Sequence, residues 1–381
     1  MTKIFCIGLV FILLSYSLVA QNLDSVHKMH SFKSKKSGGV NKGQSIRQTQ
    51  NYDLTKVLPD GFVKDGSVDY TAYIQKGMDE NTNVLMPNFP LLINEKGISV
   101  KSNCNIIFKP HSSLLMKPNS LTYYVVLKVF NASNVTIESP VIVGERNQHI
   151  GNKGEWGMGL QITASKNIKI NSPTISDCWG DGIYIGGDEK NTCDNIKIIN
   201  AKIDNCRRNG ISITDGINIQ IIKPVISNMN GALPMSGIDI EPNNNKATID
   251  NILISNPITI SNESCGIIIS LQQLPTETAK TVRIKIENHI DNQSKIAIYL
   301  SSFRGNYENK IALSGLIEVN NPKWYNNTKP LLIENYNPGP MTKFKNVNIF
   351  KDGLNSINKP SREKLQELIN EQSKHKNITI E

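Results

Sequence analysis

Asp239 and Glu241 stand two residues apart and are the carboxylates of this chain best placed for acid–base chemistry. They alternate with Ile238 and Ile240. On a strand, both side chains would leave the same face, with backbones about 6.6 Å apart. Paired carboxylates at that range can serve as acid and base toward a glycosidic bond. Two like charges side by side also push one pKa up, which suits a proton donor. The plain alternative is a solvated pair on an exposed strand, although Asp and Glu are depleted from strands. Asp181 precedes Gly182 and is either a third carboxylate or a bend residue. Arg207 and Arg208 lie between the two segments, one expected toward solvent and the other toward Asp239 or Glu241. Arg208 is read as a bidentate holder of an anionic sugar, or as a structural partner of the carboxylates.

The stretch 145–158 carries further candidates: Glu145, Arg146, His149, Glu155 and Trp156. Loops on a rigid scaffold commonly carry function. His149 is a possible general base or simply an exposed loop residue. Trp156, Trp179 and Tyr184 have flat apolar faces that can stack on sugar rings, and Trp179 can equally serve to pack a bend. Arg207, His149 and Glu155 join Trp156 and Tyr184 as substrate-binding candidates. No metal motif of specific spacing is present, so no cofactor is expected. Ca²⁺ held by Asp181, Asp239 and Glu241 is the open alternative, since hard cations take carboxylate oxygens.

The elements that must position these groups repeat. One part of the repeat reads Asn-(Ile/Val), at Asn134, Asn167, Asn195, Asn218 and Asn251. A second is an Ile-bearing segment often opened by Pro, as at Pro140, Pro173, Pro224 and Pro257. A third begins with Gly159, Gly182, Gly210, Gly237 or Gly266, with Ala297 as a further copy, at intervals of 23–31 residues. That period marks a solenoid. Each part alternates Ile with other residues, so one Ile row points inward. A single turn cannot bury its Ile face, but stacked turns bury a continuous column. Three short strands per turn predict an all-β right-handed parallel β-helix. The Leu-rich helical units of a horseshoe and the antiparallel hairpins of a propeller are both missing. Asn tolerates left-handed bends and can bond to the Asn one rung away, so the repeated Asn residues are read as a structural ladder.

Asp69 to Met78 reads as a helix capping the N-terminal end, with Asp69 as N-cap. Ser361 to Gln372 reads as a second helix after Pro360. Residues 1–20 have the plan of a signal peptide cut after Ala20. Residues 21–55 read as a disordered basic linker, 56–350 as the β-helix, and 351–381 as the C-terminal helix and tail. Five cysteines remain after that cut, at 104, 178, 193, 206 and 265. An odd count argues against a dense disulfide framework. Cys178 and Cys206 each stand four residues before a repeat Gly, so they should stack as a thiol ladder or a disulfide. The formal net charge is +9. No recognition module or interleaved aromatics accompany it, which argues against nucleic acid and for acidic glycans. No segment beyond the leader is apolar enough to span a membrane, and the oligomeric state is left open.

The motifs resemble the pectate-lyase-like superfamily of right-handed β-helices, in its bacterial and phage-tail members. The resemblance covers roughly residues 58–300. It is carried by Asp60-Gly61, Asp69 to Gln75 and Asn83 to Pro87, then by Glu155-Trp156-Gly157, Trp179-Gly180-Asp181-Gly182, Arg207-Arg208-Asn209-Gly210 and Gly237 to Pro242. The paired-Asp and Gly-His-Gly motifs of polygalacturonases are missing, which argues against a simple pectin hydrolase. The resemblance implies a polysaccharide partner. The leading expectation is a secreted glycoside hydrolase with Asp239, Glu241, Asp181 and Arg208 in catalysis. A lyase or C5 epimerase on a uronic-acid polymer, with Arg208, His149 or Tyr184 taking the proton, is the second. A non-catalytic glycan-binding β-helix is the third.

Overall fold

Alternating Ile rows and bend-forming Asn residues dictate the architecture seen in the computed structural model, which describes residues 51–303, 310–350, 360–372 and 374–381. The segments read as leader (1–20) and most of the linker (21–55) lie outside the described residues. The chain winds through three parallel sheets of 12, 10 and 9 strands, one strand per sheet in each turn. The repeat parts found in the sequence are these three sheets. The Asn-led strands include Lys166–Asn171, Cys193–Ile199 and Gly216–Ile222. The Gly-led strands include Trp156–Thr163, Ile183–Gly186, Ile211–Ile213 and Ile238–Ile240. The short third sheet includes Thr174–Ser176, Lys202–Asp204 and Val225–Ser227.

The register follows the alternation. Ile183 pairs with Ile211 and Ile211 with Ile238, while Ile185, Ile213 and Ile240 form a second row. All six are fully buried. Such columns supply the main favourable term, roughly 25 cal/mol per Å² of apolar surface removed from water.

The Asn ladder forms at a left-handed corner. Asn134, Asn167, Asn195, Asn218 and Asn251 all have φ between 54° and 58°. Asn134 donates to Asn103 at 2.9 Å, Asn167 to Asn134 at 3.0 Å, and Asn195 to Asn167 at 2.8 Å. At the next rung the ladder steps sideways, with Asn218 donating to Asp194 at 2.8 Å. Asn251 then donates to Asn218 at 2.6 Å.

A helix at Thr71–Glu80 buries Ile74 and Met78 over the first turn. It starts two residues later than Asp69, whose carboxylate nonetheless accepts the Thr71 N–H at 3.0 Å. Tyr52–Asp53 already pairs with Val84 and Leu85, so sheet pairing begins inside the segment read as linker. Arg362–Gln372 is helical as expected. Beyond it, Ile378–Ile380 adds a last strand to the Asn-led sheet. All five described cysteines are free and buried. Cys178 and Cys206 meet as reduced thiols, which pushes the Cys178 thiol up through contact with its neighbour and burial.

One inward column changes character. In the third sheet, Ile226 is followed by Thr259, Asp291 and Trp324. Trp324 Nε1–H donates to His289 Nδ1 at 3.3 Å. An indole can only donate, so His289 carries its proton on Nε2, which meets the Thr259 hydroxyl at 2.7 Å. Thr259 in turn donates to Asp291 at 2.6 Å. Burial pushes the His289 imidazole down to about 3 and the Asp291 carboxyl up to about 6.

Candidate active site

The outward positions of the Gly-led sheet build a cleft. Gln161, Tyr184, Ser212 and Asp239 occupy one register column on four successive rungs. At about 4.8 Å per rung, Tyr184 and Asp239 lie roughly 10 Å apart along the sheet. A cavity of about 160 Å³ opens over them, lined by Tyr123, Trp156, Tyr184, Arg208, Asp239 and Glu241 among others. Met158, Gln161, Thr214 and Asn243 complete it. Five residues expected together from the sequence, Asp239, Glu241, Arg208, Trp156 and Tyr184, therefore share one cleft.

Their environments differ from the expected ones. Asp239 faces outward but is only 1% exposed. Asn209 Nδ2 donates to its Oδ2 at 2.9 Å. Its other oxygen, Oδ1, is buried and has no partner among the described residues. Burial, with the charge of Glu241 adding to it, pushes the Asp239 carboxyl well above the ordinary carboxylate range. Arg208 opposes that rise without overcoming it. Glu241 is partly exposed on the cleft wall, and among the described residues its carboxylate has no hydrogen-bond or ion-pair partner. The pair is thus a buried carboxyl beside a more exposed one.

Asp181 is fully buried beneath the same face and is the partner of Arg208. The expectation that Arg208 would pair with Asp239 or Glu241 is corrected. Arg208 Nη1 reaches both Asp181 oxygens, at 3.2 and 3.0 Å. Asn209 N–H donates to Asp181 Oδ1 at 3.1 Å, and the Ser212 hydroxyl donates to Oδ2 at 2.8 Å. Burial still raises the Asp181 carboxyl, against the pull of Arg208. For Arg208, burial works against the charge, but Asp181 and then Asp239 hold it. Asn209 ties the two acids together: its amide donates to Asp239, and its Oδ1 accepts the Ser236 N–H at 3.0 Å. Asp181, Asn209 and Ser236 each precede the Gly of successive rungs, and all three are buried.

Aromatic groups wall the other end. Trp156 is 46% exposed and pairs in register with Tyr123 one rung earlier. Tyr123 was not singled out from the sequence, because its strand precedes the stretch where the repeat becomes obvious. Its signal is a Tyr opening the rung before Trp156. The Tyr123 hydroxyl donates to Gln161 at 3.1 Å. Tyr184 meets Thr214 at 2.8 Å and accepts from Asn243 at 3.0 Å. Burial pushes the Tyr184 phenol up, so it stays protonated.

Three candidates fall outside the cleft. His149 is buried, hydrogen-bonded through Nδ1 to Glu145 at 2.9 Å and stacked on Trp179 at 3.8 Å between ring centroids. Arg207 covers Trp179 at 3.9 Å and donates to the Gly154 carbonyl at 2.8 Å. Tyr124 donates to the same Glu145 oxygen. The His149–Trp179–Arg207 stack pins the 145–158 insertion to its corner, so His149 and Arg207 are packing residues there. Apolar stacking outweighs leaving these groups in solvent. Glu155 does not line the cavity, but its charge helps hold Arg208 protonated.

The Ca²⁺ set does not fit. Both Asp181 oxygens already accept from Arg208, Asn209 and Ser212, and a guanidinium at 3.0 Å opposes a dication. Among the described residues, no group of three or more His, Cys, Asp or Glu is arranged to hold a metal ion. Among them also, no helix is long and apolar enough to cross a membrane.

No family model matches the chain. The uncharacterized protein YclG of Bacillus subtilis (strain 168) is 33% identical over 160 residues, which are 38% of this chain and 27% of that protein. The SPbeta prophage-derived uncharacterized protein YorA of the same organism is 34% identical over 96 residues, 23% of this chain and 16% of that protein. The matches thus span less than a third of either curated relative. Among solved structures, a 1,3-alpha-1,4-beta-D-galactose-4-sulfate-3,6-anhydro-D-galactose-2-sulfate 4 galactohydrolase aligns with TM-score 0.55 at 14% identity, covering 76% of each chain. An iota-carrageenase complexed to iota-carrageenan fragments aligns with TM-score 0.52 at 15% identity, covering 70% of this chain and 61% of that one. A tailspike protein double mutant of E. coli bacteriophage HK620, in complex with pentasaccharide, aligns with TM-score 0.55 at 12% identity, covering 77% and 53%. At such identities the likeness is one of fold, and with the three parallel sheets it makes this chain a right-handed parallel β-helix.

Proposed function

We propose that this chain is a glycan-cleaving β-helix, a glycoside hydrolase that works through Asp239 and Glu241. The observation that carries the reading is the pairing of a buried carboxyl, whose pKa burial raises, with a cleft-facing carboxyl two residues away. In this reading Asp239 gives its proton to the glycosidic oxygen, and the leaving sugar departs as an alcohol. Glu241 takes a proton from water, whose oxygen joins the anomeric carbon, or attacks that carbon itself. Trp156 and Tyr123 offer flat faces to the sugar rings. Asp181 and Arg208 hold the floor through Asn209 and Ser212. The named activities of the structural neighbours are consistent with a glycan partner. The leader-like residues 1–20 support export from the cytoplasm, as the notional site of such a substrate requires.

The net charge of +9 favours an acidic polymer at long range. Within the cleft, Asp181 already neutralises Arg208. Recognition there rests more on ring shape than on charge. The lyase and epimerase readings need a base in the cleft, and their three candidates are poorly placed for it. His149 is packed behind Trp179, Tyr184 is held protonated, and Arg208 is paired. The test is a panel of neutral and acidic polysaccharides scored for reducing ends and for ultraviolet absorbance. New reducing ends without absorbance support hydrolysis. An absorbing unsaturated product would refute it in favour of elimination. Binding without any product would favour the non-catalytic reading.

A further inference from the structure

The outward column of the Gly-led sheet continues beyond Asp239 with a change of chemistry. Asp239 pairs with Ile268, Ile268 with Tyr299, and Tyr299 with Leu332. Ile268 is buried yet takes no part in the core inside the solenoid. Leu233, on the loop beside it, is 71% exposed. Leu233, Pro234, Ile268, Tyr299 and Leu332 wall a second cavity of about 540 Å³. That is within the roughly 300–1,000 Å³ typical of small-molecule sites. Glu241 lines both cavities, so the two adjoin at the carboxylate proposed to act on substrate.

The two cavities differ in their apolar groups. Trp156 and Tyr123 offer flat aromatic faces to the first. The second instead has branched aliphatic side chains, set among the polar Gln272, Gln273, Lys310 and Glu334. Apolar side chains gathered on an outer face mark a binding site rather than ordinary surface. A polar clue accompanies them. Ser270 also lines the second cavity, and among the described residues its buried hydroxyl has no hydrogen-bond partner. An unmade hydrogen bond in such a place is costly unless a ligand completes it. An apolar wall beside one unpartnered hydroxyl donor matches a carbonyl oxygen that bears a methyl group.

We propose that the second cavity takes an acetylated sugar unit of the polymer whose cleavage is assigned above to Asp239 and Glu241, a placement that rests on that reading. The acetyl methyl packs against Ile268 and Leu332, and its carbonyl oxygen accepts from Ser270. Cleavage then falls beside an acetylated unit. O-acetyl esters and N-acetyl amides share this chemistry.

The test uses the full chain with matched polysaccharides. One pair is an O-acetylated bacterial polysaccharide and its alkali-deacetylated form. The other is an N-acetylhexosamine polymer and its de-N-acetylated form. Affinity is read by calorimetry and cleavage by reducing ends. The parent should prefer the acetylated member of at least one pair by about 4- to 10-fold, the worth of one buried methyl group. The pair that shows it identifies the ester or the amide. Ser270→Ala and Leu332→Asp should bring that preference to within twofold of unity, while affinity for the deacetylated form stays within twofold of the parent. Leu233→Asp, at a position 71% exposed, should weaken the preference too. Glycan binding and cleavage by the parent with no preference in either pair would overturn this inference alone. So would a preference that survives all three variants. A parent that neither binds nor cleaves any glycan overturns the functional reading and this inference together.

Discussion

Asp181→Asn isolates the ion pair that underlies the site. The carboxylate is fully buried, and the Arg208 side chain is 16% exposed. Removing the charge leaves the guanidinium beside an amide that can offer it only one acceptor. It also puts an N–H₂ where Arg208 or Ser212 now donates. Breaking one side of a buried pair typically costs about 3–5 kcal/mol. The partial exposure of Arg208 places this case at the low end, about 3 kcal/mol. For a chain of this size that is a fall of roughly 4 °C in Tm. The same structure says the intact pair is no large net stabiliser, because burial still raises the Asp181 carboxyl despite Arg208. Removing both charges should therefore recover most of the loss. The assay is a double-mutant cycle of Asp181→Asn and Arg208→Met by chemical and thermal unfolding. The expected coupling is about 2 kcal/mol, with the double variant more stable than Asp181→Asn alone. Additive losses, or a single-variant cost below about 0.5 kcal/mol, would refute the assignment of Asp181 as the partner of Arg208.

Asp239→Asn should keep or raise stability at neutral pH, since it removes a carboxyl whose ionisation burial opposes. A raised carboxyl contributes stability below its ordinary pKa and loses it as pH rises through the folded value. The parent should thus lose stability relative to Asp239→Asn on alkalinisation; parallel pH profiles would contradict the burial argument. In the core, His289 is pushed down to about 3, so its contribution is present above about 6.5 and lost as pH falls toward 3. Asp291 is pushed up to about 6, so its contribution is present below about 3.8 and lost as pH rises through 6. Between about pH 4 and 6 the two slopes oppose each other. His289→Gln should expose the Asp291 slope, up to about 1.4 kcal/mol per pH unit relative to the parent, and an unchanged slope would show that the two groups do not titrate as placed. Ile211→Ala removes volume from the middle of a closed column and should cost about 2–5 kcal/mol by denaturant unfolding. A cost below about 1 kcal/mol would mean the column is not packed as described.

The solenoid was legible because its cause is local and repeated. Ile183, Ile211 and Ile238 recur behind a Gly, and the period-two alternation then assigns every neighbour to a face. That is why Tyr184, Ser212 and Asp239 could be set in one column before any pairing was known. Alternation gives the side of the sheet but not the depth. Asp239 lies on the outer face and is nevertheless covered, because Asn209 bonds to it from the bend before the neighbouring rung and Ser212 flanks it in register. Partner choice inside that bend was equally hidden. Arg208 could be set near two carboxylates from its position, but only the corner's backbone path turns it to Asp181. The 145–158 insertion has no repeat to read against, so nothing in its sequence told that His149 would stack on Trp179 rather than face the cleft. Thr259 and Asp291 are visible as gaps in an Ile column, which is the sequence signal of a buried polar network.

The account stands most directly on turnover by the isosteric carboxylate variants. The measurement is the rate of reducing-end release from a cleaved polysaccharide by the parent, Asp239→Asn and Glu241→Gln, each checked for parental unfolding. Loss of acid–base help should lower the rate by about 10²–10⁴ in either variant, with thermal unfolding unchanged or improved for Asp239→Asn. Parental rates in both folded variants would contradict the assignment of chemistry to Asp239 and Glu241.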